Sequence, residues 1–303
     1  MRATRRALVA AALALPAVAR AQGDGITIVD DTLRYPEGPL VQGLELLVAD
    51  MMLNRLVGYD LGTLQRTRVI ELGGCGPTSI APFGEGRMVV LCHLAQRLLL
   101  LSPDGEVLMA LERTLDGEPI RAPNDSVEDG AGGVFLSDAG VFSNAAPATG
   151  KVLHVSARGA RTVVEGLRYS NGVAWQAEGR VLFVSEHLAN RILRFELDAE
   201  MRVTGRSVFF DLSTLPAPSV GAPYDQTGPD GLELLPDGDL LAAQYGGGRF
   251  MRFSAQGAVK ALTDVPCQFI TNITRHEDEV FFVGARDIRV AEVRGLLGRV
   301  ALR

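Results

Sequence analysis

The chain is predicted to be all-β, a single-domain six-bladed β-propeller, and three observations predict it. A unit of two short apolar strands around a polar break recurs six times, at a spacing of roughly 40–60 residues that suits a four-stranded blade. Glycine supplies 34 of the 303 residues without a collagen-like period, so the chain must turn often and its strands must be short. Past the N-terminal segment, no amphipathic helical pattern longer than about three turns can be drawn.

The units follow in order. Residues 44–50 and 54–60 form the first, with Leu46-Leu47-Val48 and Leu56-Val57 as its apolar centres. The second is 87–92 with 96–101, closed by the turn Ser102-Pro103-Asp104-Gly105. The third is 133–138 with 150–155, the fourth 179–185 with 190–195, the fifth 237–243 with 248–253, and the sixth 278–283 with 288–293. Gly, Asp, Asn and Pro punctuate the joints, as tight connections require. Ile26-Thr27-Ile28-Val29 precedes the first unit and is predicted to complete the last blade. Both chain ends then share one blade, and the ring closes with only short, protected edges. An open sandwich of similar strand count is the competing arrangement.

Residues 1–21 are of another kind. Arg2, Arg5 and Arg6 make a basic start, residues 7–18 are a short apolar run, and Ala19-Arg20-Ala21 has the small-x-small form of a cleavage site. The run is short for a bilayer span. It reads as a signal peptide cut near Gln22, which leaves 22–303 as the propeller and implies a periplasmic or secreted protein. Thr4-Arg5-Arg6-Ala7-Leu8-Val9 also resembles a twin-arginine export signal.

The net charge of −6 argues against nucleic acid as a partner, because phosphate binding needs clustered Lys and Arg. A small-molecule partner, no membrane span and a monomer or weak oligomer are expected. The odd cysteine count (Cys75, Cys92, Cys267) leaves at least one thiol unpaired within the chain. Cys92 sits in an apolar run and reads as a small buried hydrophobe, while a Cys75–Cys92 bridge is left open. With no CxxC pair, a thiolate zinc site is disfavoured.

Four short polar motifs stand between the units: Pro36-Glu37-Gly38-Pro39, Arg121-Ala122-Pro123-Asn124-Asp125, Tyr169-Ser170-Asn171-Gly172 and Gly228-Pro229-Asp230-Gly231. Any one alone is an ordinary turn. All four fall just before a new blade's inner strand, where propeller loops face the central channel. Glu37, Asn124, Asn171 and Asp230 would then converge on the axis. Two carboxylates with two amide oxygens form a hard-oxygen set, suited to Ca2+, with Mg2+ or Mn2+ as alternatives and Zn2+ disfavoured.

With these motifs in place, the chain from Pro36 to about Gly284 resembles the gluconolactonase, regucalcin and sugar-lactone lactonase family. The likeness is densest in residues 170–195, from Ser170-Asn171-Gly172-Val173-Ala174-Trp175 onward, and in 229–253, from Pro229-Asp230-Gly231-Leu232 onward. The resemblance implies a divalent-metal-dependent hydrolase that opens a sugar or aldonic-acid lactone. It implies Glu37, Asn171 and Asp230 as metal ligands, Asn124 as ligand or substrate contact, Asp230 as general base or nucleophile, and Arg121 as a substrate contact. One extra residue separates Arg121 from its asparagine relative to the family pattern. Phosphotriester hydrolysis on the same site, and a non-catalytic calcium-stabilised scaffold, are the competing functions.

The remaining candidates are weaker. Thr271-Asn272 resembles the family's late Thr-Asn pair and would add a polar side chain near the site. Residues 212–228 form a longer, proline-bearing connection, readable as a rim loop or as a plain surface excursion. The four histidines lack metal-ligand spacing, and His187, at the end of an inner strand, is the one best placed to line the channel. Trp175 reads as core. No GxSxG elbow or P-loop is present, which disfavours a serine hydrolase or nucleotide enzyme.

Overall fold

The structure, a computed structural model, describes residues 20–21, 25–218, 221 and 223–302. The expected signal peptide lies outside the described residues except for Arg20–Ala21, which pair in parallel with Val259–Asp264. Among the described residues the regular structure is β-strand with three short 3-10 turns and no α-helix. No helix is long and apolar enough to cross a membrane.

The strands run as antiparallel meanders. Four sheets hold four strands each, the first being Pro36–Gln42, Glu45–Asp50, Arg55–Asp60 and Arg66–Glu71. A nine-stranded sheet holds two further runs of four, one from Gly228–Leu234 to Val259–Asp264, the other from Phe269–His276 through Gly295–Ala301 to Thr27–Asp30. Tyr245 opposite Phe269 joins the two runs. Thr27–Asp30 pairs with Gly295–Ala301, so the N-terminal strand joins the C-terminal run as expected. The sixth unit needs a correction: residues 288–293 are not a strand, and Gly295–Ala301 is the partner of Glu279–Ala285. Asp287 accepts the backbone N–H of Arg289 at 2.9 Å, which turns the chain out of the ladder and leaves 288–293 as a loop.

Side-chain alternation explains why the second strands read as continuous apolar runs. In Glu45–Asp50, Leu46 and Val48 pack with Phe281, Val283 and Leu297 of the C-terminal run. Leu47 and Ala49 point the other way, onto Ile80, Val90 and Leu99 of the next sheet. Val134 and Leu136 pack back on Val89 and Leu91, while Phe135 packs forward on Trp175 and Leu182. Both faces of each such strand are buried, so the period of two is masked by hydrophobicity on both sides. Fully burying one Leu or Phe side chain contributes about 1.5–3 kcal/mol.

The first strand of each run lies innermost: Pro36–Gln42, Pro77–Pro82, Pro123–Glu128, Ser170–Gln176, Gly228–Leu234 and Phe269–His276. Each contacts the next in order, and Phe269–His276 contacts Pro36–Gln42. Hydroxyls tie neighbours together: Thr78 Oγ1 donates to the Pro123 carbonyl at 3.1 Å, Ser185 Oγ to Asp230 O at 2.7 Å, and Thr271 Oγ1 to Pro36 O at 2.7 Å. Cys75 and Cys92 form a disulfide across the start of one innermost strand and the end of its partner. Cys267 is a buried free thiol, and burial pushes it up to about 12, so it stays protonated and inert.

Candidate active site

Every innermost strand breaks register at the same place. The breaks fall between Glu37 and Leu40, Pro77 and Ser79, Pro123 and Ser126, Ser170 and Val173, Pro229 and Leu232, and Ile270 and Asn272. A bulge adds a residue without a ladder partner and re-aims its side chain. Asn124, Asn171 and Asp230 sit inside these bulges, and Glu37 stands at the edge of its own, opposite Ala49. The glycines that follow two of them are required by space: a Cβ on Gly172 would lie 2.1 Å from the Asp230 carbonyl oxygen, and one on Gly231 2.1 Å from Asn272 Oδ1. Asn-Gly and Asp-Gly therefore mark close strand approach here, and the turn chemistry that the dipeptides suggest is not used.

The four expected residues line one cavity of about 400 Å³. Their side chains are buried, and no Lys or Arg is among the described residues that line it. Burial first, and then neighbouring carboxylates, push Glu37 and Asp230 well above the ordinary carboxylate range. Among the described residues no three carboxylates, imidazoles or thiols are grouped to hold an ion, so a cation here must also use amide oxygens.

One such oxygen is prepared for it. His187 Nε2 lies 2.8 Å from the Gln226 carbonyl, which can only accept, so Nε2 carries the proton. Burial pulls the His187 pKa down to about 4, and Nδ1 is left as an acceptor 3.4 Å from Asn171 Nδ2. The Asn171 amide also donates to Asp230. With its N–H groups committed to chain partners, Asn171 presents Oδ1 as a buried oxygen without a hydrogen-bond partner. An orphaned buried acceptor in a cavity with two carboxyl groups and no Lys or Arg fits a hard cation. Asn124 also hydrogen-bonds the Tyr169 side chain.

Other expected residues fall as follows. Arg121 is exposed and does not line the cavity; its backbone N–H donates to the Asp138 carboxylate at 3.2 Å. Thr271 hydrogen-bonds Glu37, and Asn272 Nδ2 donates to Asp125 at 2.9 Å. Trp175 is buried and donates to Asp129 O at 3.2 Å. His187 lines the cavity, and so does His93. From 212–228, Tyr224 and Gln226 reach the cavity, as a rim loop would. Sequence reasoning missed Thr78, although Gly76-Pro77-Thr78-Ser79 repeats the Gly-Pro-x form of the Asp230 motif. It also missed the aromatic wall of Tyr35, Phe142, Tyr169 and Tyr245, for which only the tyrosines preceding two motifs gave a signal.

Comparison with known proteins agrees with this architecture. The sequence profile of the SMP-30/Gluconolactonase/LRE-like region matches residues 35–282. Lactonase drp35 of Staphylococcus aureus (strain USA300) is 29% identical over 220 residues, which are 70% of this chain and 64% of that protein. The chain thus spans just under two thirds of that relative's length. Among solved structures, a calcium-binding protein, regucalcin, from Agrobacterium tumefaciens superposes with a TM-score of 0.74 at 20% identity, covering 94% of this chain and 98% of that one. A gluconolactonase from Xanthomonas campestris gives 0.71 at 18% identity, covering 91% and 90%. These two likenesses establish the fold.

Proposed function

The chain belongs to the SMP-30/gluconolactonase/LRE-like family, and we propose that it is a cation-dependent hydrolase that opens lactones. The buried Asn171 Oδ1, left without a partner in the cavity that Glu37 and Asp230 also line, carries this reading. Glu37, Asn124, Asn171 and Asp230 would hold the ion, Ca2+ first by donor chemistry. A bound hard cation supplies polarisation of the lactone carbonyl and stabilisation of the oxyanion. The chain's own residues do the rest. Asp230 accepts the proton of the attacking water as the new C–O bond forms. When the tetrahedral intermediate collapses, the ring C–O bond breaks and the leaving oxygen takes the proton, giving a hydroxy acid. His187, neutral at working pH, orients Asn171 and holds no charge of its own.

Six four-stranded blades in a closed ring is the architecture this reading assumes, supported by the contact of Phe269–His276 with Pro36–Gln42. Export, with residues 1–21 removed and a periplasmic or secreted location, belongs to the same proposal. It draws support from the Cys75–Cys92 disulfide, since such bonds persist in oxidising compartments. The apolar cavity wall favours one second reading, phosphotriester hydrolysis on the same groups.

The test is acid release from a panel of lactones, with Ca2+ added and again after chelation. Turnover that stops on chelation and returns with Ca2+ is expected. Phosphotriester turnover with no lactone turnover would replace the lactonase reading by the second. If Asp230 instead attacked directly and water then opened the mixed anhydride at the Asp230 carbon, a single turnover in H2(18)O would leave the label out of the first product and in the protein.

A further inference from the structure

The cavity wall speaks to the part of the substrate that does not react. The Phe142 ring centroid lies 4.7 Å from Tyr169, 5.3 Å from His187 and 6.3 Å from Tyr245, each pair edge-on. Tyr35 joins the wall through a 2.9 Å hydroxyl contact with Tyr245. Met51 and Met52 add thioethers, soft groups that adapt to apolar ligands.

Two of these rings are held where an L side chain is disfavoured. Tyr35 and Tyr169 have φ of 56° and 63°, immediately before the Glu37 and Asn171 motifs. Gly76 occupies the corresponding point before Thr78, with φ 57°. Glycine serves there without strain, so the tyrosines are kept against backbone preference, as are residues such as Leu64 and Met201 away from the cavity; the two tyrosines differ in lining it.

The wall's polar groups are engaged with one another. Tyr35 Oη meets Tyr245 Oη, Tyr169 bonds Asn124, and Tyr224 Oη donates to Gln226 Oε1 at 3.3 Å. Gln226 Nε2 reaches Phe142 O at 3.5 Å. No Lys or Arg lines the cavity among the described residues, and Arg121 stands outside it. A site that recognises a sugar needs side chains directed at its hydroxyls; this wall offers rings. Resting on the lactonase reading, we infer that the substrate is a lactone bearing an aromatic or alkyl portion, in place of a polyhydroxylated sugar lactone, and that Phe142, Tyr35 and Tyr169 set the preference.

The experiment is a calorimetric titration of the Ca2+-loaded protein with three lactams that mimic lactones without being cleaved: a benzo-fused δ-lactam, δ-valerolactam and the δ-lactam of gluconic acid. The benzo-fused ring is expected to bind at least about tenfold tighter than the gluconic lactam, a gap that a few aromatic contacts provide. Phe142→Ala should remove most of that gap and leave δ-valerolactam binding within about twofold. Tyr35→Gly, which suits the local φ, should narrow it as well, with the thermal midpoint followed alongside because a packed ring is removed. Equal or tighter binding of the gluconic lactam overturns the inference, as does a parallel loss for all three ligands in Phe142→Ala. Binding is read apart from turnover. Tight binding of the benzo-fused lactam with no lactone cleaved would sink the lactonase reading and keep the wall's preference. Turnover of sugar lactones alone would do the reverse.

Discussion

Two carboxylates of the innermost strands, Asp230 lining the candidate site (the mouth) and Asp125 lining a second cavity (the waist), are equally buried and differently used. Asp125 has its oxygens taken up by the chain. Oδ1 accepts from Asn272 Nδ2 at 2.9 Å and Ser79 Oγ at 3.2 Å, and Oδ2 from the Val173 N–H at 3.1 Å. Those donors come from three different runs, so Asp125 ties the innermost strands together, and burial raises it to about 6. Asp230 has one amide from Asn171, the Gly231 N–H and a neutral His187 at 3.9 Å, and it faces Glu37 and an unpartnered Asn171 oxygen. Burial alone does not separate structure from function. What separates them is whether the protein has spent the acceptor on itself.

The largest effect should come from breaking the mouth. Asp230→Asn keeps the shape, one acceptor oxygen and the contact to Asn171, but removes the proton acceptor and one of the two carboxylates that would hold the ion. Turnover of lactones should fall by about a thousandfold or more, with the thermal midpoint little changed. A residual rate within tenfold of the parent would take Asp230 out of the chemistry. The next effect lies at the waist. Asp125→Ala leaves Asn272, Ser79 and the Val173 N–H without their acceptor, and should cost about 3 kcal/mol in denaturant unfolding. A loss under about 1 kcal/mol would mean that water replaces the carboxylate and that the contrast with the mouth is overstated.

The waist was hidden from sequence reading and the mouth was not, for a physical reason. Glu37, Asn171 and Asp230 announce themselves because a bulge and close strand approach demand Pro and Gly beside them, and those residues stand out in any sequence. Asp125 was read only as the end of the Asn124 motif, and its partners Ser79 and Asn272 come from strands far along the chain. Blade strands were legible because burial on both faces makes them uniformly apolar. The strand expected at 288–293 failed because its apolar letters, Ile288, Val290 and Val293, were read as a ladder. Ile288 and Val293 in fact line the cavity from a loop. The aromatic wall was legible only at Tyr35 and Tyr169, which stand beside motifs; the rest was hidden because Phe142, Tyr169 and Tyr245 belong to different runs.

A smaller effect sharpens the comparison at the far end of the channel. Glu233 lies there with its carboxyl accepting the Arg275 N–H, and burial raises it to about 8. The folded protein therefore binds this proton more tightly than the unfolded chain, whose glutamates titrate near 4.5. Between those two values stability must fall as pH rises. Measured against Glu233→Gln in chelator, the parent should lose on the order of 1–2 kcal/mol from pH 5 to pH 8. A flat difference would mean that the channel hydrates Glu233 enough to leave it near its ordinary range.

The smallest effect concerns Arg121, and it divides family likeness from local geometry. The resemblance implies an arginine that contacts substrate. In this fold the Arg121 side chain is exposed, and the residue's role is to give its backbone N–H to Asp138, which also accepts the Ala122 N–H at 2.6 Å. Substitution leaves both bonds intact, because the backbone supplies them. Arg121→Ala should therefore change KM for any lactone by less than about twofold and stability by no more than about 0.5 kcal/mol. A tenfold rise in KM confined to sugar lactones would mean that Arg121 swings over the rim once substrate arrives. It would also restore the hydroxyl recognition that the wall lacks. That outcome would move the boundary of the site from the bulges to the loops between runs, where the extra residue between Arg121 and Asn124 would give the side chain its reach.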